Sequence, residues 1–278
     1  MRDERRAALE EIANDVRVCT RCRLADTRTQ AVPGEGDPDT EVVLVGEGPG
    51  LNEDREGRPF IGRAGGLLAK LLAGVGWRRE DVFITNVVKC RPPDNRDPQP
   101  DEIAACEPYL QRQLAVLDPA VVVTLGRFSM NTFIPGARIG QVHGTVHPVD
   151  PATGAAQALA FAMYHPAAAL RSAGVERDSI EDMSRVPAVL LRARAMRERG
   201  AAEVATAPAL GPQRAAQHRV ASAEPEAAPE ATMAGAGAAA QTGHAALADG
   251  APSTSPDPVH PLVSAEPAAD DAAQLTLF

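Results

Sequence analysis

Leu9, Ile12, Ala13 and Val16 recur at helical spacing, so residues 4–18 are expected as an amphipathic helix running into Cys19. Val42-Val43-Leu44-Val45 is a continuous apolar run that closes on Gly46-Glu47-Gly48-Pro49-Gly50, the pattern of a buried strand followed by a tight loop. Residues 63–74 (RAGGLLAKLLAG) return to a helical pattern, and 82–88 reads as a second strand. Residues 100–117 open on Pro, Asp and Glu, a helix N-terminal signature. A third strand is expected over 120–125, a fourth over 159–164, and a last helix over 178–198. Strands alternating with helices predict an α/β fold, a three-layer α/β/α arrangement with a central, mainly parallel four-stranded sheet. Such sheets bind ligands at the carboxyl ends of their strands. The segments GEGPG, TNVVKC and YHPAAALRS all follow strands at that edge.

The apolar pattern then stops. From Ala201 to Leu277 there is no Ile, Phe, Tyr, Trp, Cys or Lys, too little apolar surface to offset the entropy of ordering. The expected organisation is a folded domain over 1–198, a disordered Ala/Pro/Glu-rich linker over 199–273, and a distinct ending over 274–278.

Charge follows the same division. Residues 201–278 hold two Arg and nine Asp or Glu, so −7 of the net −9 lies there. The remainder is close to neutral and can carry a local basic face, which permits DNA binding. The N-terminus, MRDERRAALEEIA, is charged throughout and lacks the apolar core of a secretory signal. No run is long and apolar enough for a transmembrane helix. A cytoplasmic, nucleoid-associated monomer with no membrane partner is expected.

Four cysteines in a reducing compartment point to metal rather than disulfides. Cys19 and Cys22 form a C-x-x-C pair, and Cys90 lies in a loop rich in Pro and charge, separated from Cys106 by fifteen residues. Free cysteines are often inert core residues, but that loop is a poor place for one. Zinc and a [4Fe–4S] cluster both accept four thiolates, and spacing does not choose between them.

Taken together, the C-x-x-C pair, the GEGPG loop, Gly57-Arg58-Pro59-Phe60-Ile61-Gly62, Thr85-Asn86-Val87-Val88-Lys89-Cys90 with the following RPP, Cys106 and His165-Pro166-Ala167 closely resemble the family 4 uracil-DNA glycosylases, the iron–sulfur branch of their superfamily. The resemblance covers about residues 15–195. It implies a [4Fe–4S] cluster on Cys19, Cys22, Cys90 and Cys106, and removal of uracil from DNA to leave an abasic site.

The residue types suit that chemistry. A base inside a duplex must be flipped into a pocket, here lined by Gly46 and Gly48. Phe60 offers a face for stacking. The Asn86 carboxamide can accept from uracil N3–H and donate to O4, and cytosine presents the reverse order. Breaking the glycosidic bond places negative charge on uracil N1 and O2, which His165 can stabilise through O2. Glu47 is the carboxylate of the family loop. Other branches carry Asp or Asn one residue later, at Gly48 here, so its role stays open between orienting or deprotonating water and stabilising a cationic sugar. Gly50 stands where other branches carry a tyrosine that excludes thymine, and no residue here takes over that task by sequence alone.

Lys89, Arg91 and Arg96 are expected to hold phosphates. Leu170 and Arg171 correspond to the region the family uses as a minor-groove wedge. A relative that becomes covalently trapped on uracil DNA uses a histidine in its basic loop; KCRPPDNRDPQP has none. A non-catalytic DNA-binding protein would not need Glu47, Phe60, Asn86 and His165 together. Finally, Gln274-Leu275-Thr276-Leu277-Phe278 resembles the bacterial sliding-clamp-binding pentapeptide. The resemblance implies Gln274 in a polar notch, Leu275 alongside, and Leu277 and Phe278 in an apolar pocket, with the preceding linker as a tether.

Overall fold

A computed structural model describes residues 2–206 of the chain; the expected clamp motif at 274–278 and most of the expected linker lie outside the described residues. The helices are α1 (Arg2–Arg17), α2 (Leu51–Glu56), α3 (Arg63–Gly74), α4 (Pro100–Leu117), α5 (Arg127–Phe133), α6 (Ile139–Val142), α7 (Pro166–Ala169) and α8 (Ala173–Thr206). The strands are β1 (Glu35–Gly36), β2 (Val42–Gly46), β3 (Phe83–Asn86), β4 (Val121–Leu125), β5 (Val146–Pro148) and β6 (Leu159–Met163).

The six strands form one sheet in the order β1-β3-β2-β4-β6-β5. The four expected strands are its parallel centre, in register at Gly46↔Asn86, Val42↔Val121 and Val121↔Leu159. Two short antiparallel strands, β1 and β5, extend its edges. Those edges carry no apolar run, so period and propensity do not announce them. Every residue of β2, β3, β4 and β6 is buried, as a sheet covered on both faces requires.

Alternation along each strand sends neighbours to opposite cores. Val43 and Val45 of β2 pack with Ile12 and Val16 of α1 and Leu110 and Leu114 of α4. Val42 and Leu44 pack with Leu68 and Leu72 of α3 and Met183 and Val186 of α8. Each fully buried aliphatic side chain contributes roughly 1.5–3 kcal/mol relative to exposure. A single-residue slip of β2 would exchange the two sets and break both cores.

The second strand and the last helix both differ from expectation in their bounds. The second strand ends at Asn86 rather than 88, because the Asn86 carbonyl accepts from the Lys89 ammonium at 2.8 Å while the Val87 and Val88 amides turn to Gly46 O and Glu47 O. Helix α8 starts before 178 and passes 198, so the expected domain boundary falls inside a helix. Arg194 binds the Glu41 carboxylate and Arg197 donates to Pro119 O at 2.6 Å, pinning its later turns to the sheet's entry side. Among the described residues no helix is long and apolar enough to cross a membrane.

Candidate active site

A cleft of about 630 Å³ opens at the carboxyl ends of the parallel strands. The loop after β2 supplies Glu47, Gly48, Pro49 and Gly50, the end of β3 supplies Asn86, the turn after β4 supplies Gly126 and Arg127, and the segment after β6 supplies His165 and Arg171. Phe60 and Glu53 reach it from the crossover between β2 and β3. Seven of the expected residues thus share one lining: Glu47, Gly48, Phe60, Asn86, Arg96, His165 and Arg171. Gly46 lies just behind it. A Cβ there would come 2.4 Å from Asn86 Oδ1 and 2.5 Å from Phe60 Cζ, so only glycine lets both side chains hold their places.

Asn86 is 1% exposed, and its Oδ1 is one of two buried side-chain polar atoms without a hydrogen-bond partner among the described residues. The other, Thr124 Oγ1, belongs to the sheet interior. An unsatisfied buried acceptor costs on the order of 1–3 kcal/mol, and Asn86 sits where a donor entering the cleft can relieve it. Beside it the Phe60 and His165 rings stack with centroids 5.6 Å apart.

His165 caps α7, its Nδ1 accepting from Ala167 N at 3.1 Å. Burial, helped by the nearby Arg171 charge, lowers its pKa to about 4. The ring is therefore neutral at pH 7, and with Nδ1 used as acceptor its proton resides on Nε2. Gly126, at φ +93, makes this approach possible: a Cβ there would lie 2.9 Å from that of His165. Glu47 is half-buried. Burial first, and the Asp97 carboxylate second, raise its pKa to about 7, with Arg127 opposing. Arg127 is ion-paired with Asp97 across the cleft rim.

The four cysteines line one smaller cavity below the loop that carries Cys90. None of the four is joined in a disulfide. Three receive N–H donors at sulfur: Arg28 Nη1 to Cys90 at 3.1 Å, Lys89 N to Cys106 at 3.2 Å and Arg21 N to Cys19 at 3.4 Å. Among the described residues no group of three or more His, Cys, Asp or Glu side chains is drawn together so as to hold a metal ion; the sulfurs surround a shared space instead. Burial pushes the Cys106 thiol up to about 11, so a thiolate there calls for positive charge inside the cavity. The donor set fits a thiolate-bound cluster.

Residues 33–184 match the family model described as the uracil DNA glycosylase superfamily. The chain belongs to that superfamily. It is similar to the Type-4 uracil-DNA glycosylase of Sulfurisphaera tokodaii, 44% identical over 185 residues that span 64% of this chain and 83% of that protein. It is 45% identical to the Saccharolobus solfataricus Type-4 enzyme over 188 residues, 66% of this chain and 86% of the relative. The Thermotoga maritima Type-4 enzyme is 43% identical over 183 residues, 65% and 94% of the two chains.

Within this superfamily fold the expected grip on DNA needs one correction. Lys89 does not face solvent: it is 1% exposed, and its ammonium donates to Thr85 Oγ1 at 2.6 Å, Gln113 Oε1 at 2.7 Å and Asn86 O at 2.8 Å. All three protons are used, so it braces the β3 end and has none left for a phosphate. Its neighbours in sequence behave differently from one another. Arg96 forms a fork with the buried Glu102 carboxylate at 2.6 and 2.9 Å. Arg91 is half-exposed, outside the cleft lining, and donates to Asn95 Oδ1 at 2.7 Å. Leu170 is 39% exposed beside Arg171.

Glu53 was not among the expected site residues. Its Oε1 accepts from Ile61 N at 3.0 Å and Gly62 N at 2.9 Å, and a Cβ at Gly50 would lie 2.8 Å from its Oε2. The carboxylate thus fills the room that Gly50 leaves. The one sequence signal was an acid three residues past Gly50 and within reach of the GRPFIG amides.

Proposed function

We propose that the protein excises uracil from DNA as a type-4 uracil-DNA glycosylase, in cytoplasm where it meets chromosomal DNA, and acts as a monomer. The observation that carries the site assignment is the orphan Oδ1 of Asn86 beside the Phe60–His165 stack. A flipped uracil lies on the Phe60 ring, gives its N3–H to Asn86 Oδ1 and accepts at O4 from the Asn86 amide. Gly46 and Gly48 keep the cleft floor low enough for the base edge.

As the C1′–N1 bond lengthens, its electron pair moves onto uracil N1 and O2 while the sugar becomes cationic. A neutral His165 with its proton on Nε2 supplies a donor for O2 without carrying charge of its own. Water completes the sugar, and Glu47, poised near neutrality, orients that water, takes its proton, or balances the sugar cation. Leu170 and Arg171 at the rim, with Arg91 further along, contact the opened strand and its phosphates.

Cys19, Cys22, Cys90 and Cys106 are the residues that would hold a [4Fe–4S] cluster. The group supplies cross-linking when bound, joining the end of α1, the Cys90 loop and α4. Asn86→Asp tests the pocket: a carboxylate cannot donate to O4, so single-turnover release of uracil from an oligonucleotide should fall about 10²-fold or more. A parental rate would refute the assignment of Asn86.

The ending at Gln274, Leu275, Leu277 and Phe278 is proposed to bind the bacterial sliding clamp. A peptide ending in QLTLF should bind purified clamp with micromolar affinity, carried by a few buried anchors. Equal signals from that peptide and its Leu277→Ala/Phe278→Ala form would remove the proposal.

A further inference from the structure

Phe60 carries a backbone conformation that a bulky side chain rarely adopts. Its φ is +51, the left-handed region, and such a residue persists only where its surroundings hold it. The side chain is nevertheless 6% exposed and set against His165.

The restraint comes from outside the cleft. Arg79, between α3 and β3, donates Nη1 to Phe60 O at 2.8 Å and Nη2 to Pro59 O at 2.7 Å. Two successive carbonyls turned toward one guanidinium define the bend. Nη2 also meets Glu35 Oε1 at 2.9 Å, and Arg58 donates to both oxygens of that carboxylate at 2.8 and 3.0 Å. Gly65 leaves room for the bend: a Cβ there would come 1.7 Å from Phe60 O. On the other side, Glu53 takes the next two amides, Ile61 N and Gly62 N. Arg79 lines a separate groove and is absent from the cleft lining, so it acts on the base only through Phe60.

We propose that Arg79 is a positioning residue for base binding: its guanidinium holds the Pro59 and Phe60 carbonyls so that the Phe60 ring meets a flipped uracil. The proposal rests on the reading of Phe60 as the stacking face. Stacking acts on substrate and transition state alike, so its loss raises KM and leaves kcat nearly unchanged. A general loss of folded protein would do the reverse.

The test measures KM and kcat on a uracil-containing oligonucleotide, with the inhibition constant of free uracil as a direct affinity. Arg79→Met should raise KM and the uracil constant about tenfold, within the range of a lost base–aromatic stack. Arg79→Lys, which keeps charge beside Glu35 and one donor, should fall between. Phe60→Ala should show an equal or larger rise, and Arg79→Met/Phe60→Ala should match Phe60→Ala alone, since the two act as one unit. Parental values in Arg79→Met and Arg79→Lys beside a raised Phe60→Ala overturn the brace and spare the stack. Parental values in Phe60→Ala overturn the stack and the brace with it. Additive effects in the double variant place Arg79's action elsewhere and overturn the proposal.

Discussion

The Ala167 backbone N–H points at Nδ1 of His165, 3.1 Å away. That contact fixes which ring nitrogen can carry a proton, and burial fixes how many protons the ring holds. With its pKa lowered to about 4, His165 gains no charge between pH 9 and about pH 5. Single-turnover uracil release should therefore show no inflection near 6.5 from His165. His165→Ala should slow bond breaking by roughly 10²–10³, the usual cost of losing one charge-stabilising donor. An imidazole inflection that disappears in His165→Ala would mean that the ring acts as a cation.

Glu47 should dominate the pH profile instead. Its pKa is raised to about 7 by burial and by Asp97, so the carboxylate predominates above 7 and the neutral acid below. If the anion is the working form, the rate rises with pH through about 7 and levels off above. Glu47→Gln should flatten that limb and lower the plateau. Asp97→Asn removes the second cause of the shift, so the limb should move to lower pH; an unmoved limb would assign it to another group.

Much of the fold is legible in the sequence. The apolar runs 42–45 and 120–125 and the helical repeat of 63–74 appear as β2, β4 and α3, because buried parallel strands and amphipathic helices write strong periods into sequence. Strands β1 and β5 are two and three residues long and are held only by pairing to a neighbour, which leaves no periodic trace. At the site, Asn86, Phe60 and His165 sit together because motifs at strand ends converge by topology. Lys89 reads as solvated in the sequence because it stands among arginines in a loop; only the placement of Thr85, Gln113 and the Asn86 carbonyl around it shows otherwise. Arg79 and Glu53 bond to backbone groups of the 59–62 turn, and beyond the acid's place three residues past Gly50 residue type does not announce such contacts.

The difference between Lys89 and Arg171 can be measured. Lys89→Met would leave three buried acceptors without their donor, a loss of about 2 kcal/mol or more of stability. It should leave the salt dependence of DNA binding unchanged. Arg171→Ala should reduce the slope of log affinity against log salt by about 0.7–0.9, the value for one phosphate contact, with little effect on melting temperature. A lowered slope in Lys89→Met would restore that residue to the DNA-facing set.

The cysteine cavity makes the last prediction. Its four thiols come from the end of α1, the following turn, the loop after β3 and α4, so a group bound to all four ties the N-terminal helix to the cleft-forming loop. Protein purified without oxygen should be brown and hold about four irons per chain. Cys90→Ala should lose the colour and much of the thermal stability, because ligand binding and loop order are one equilibrium. The loss should reach the cleft, since Val88 N and Val87 N in the same segment are bonded to Glu47 O and Gly46 O. Free uracil should then bind Cys90→Ala more weakly than it binds the parent. Arg28→Met is the milder probe: it removes the N–H···S contact to Cys90 at 3.1 Å and keeps all four thiols, so iron content should stay near the parent while the cluster's absorbance spectrum shifts. A colourless parent protein that holds one zinc ion at full activity would exclude the iron–sulfur assignment and leave the cavity as a single-ion site.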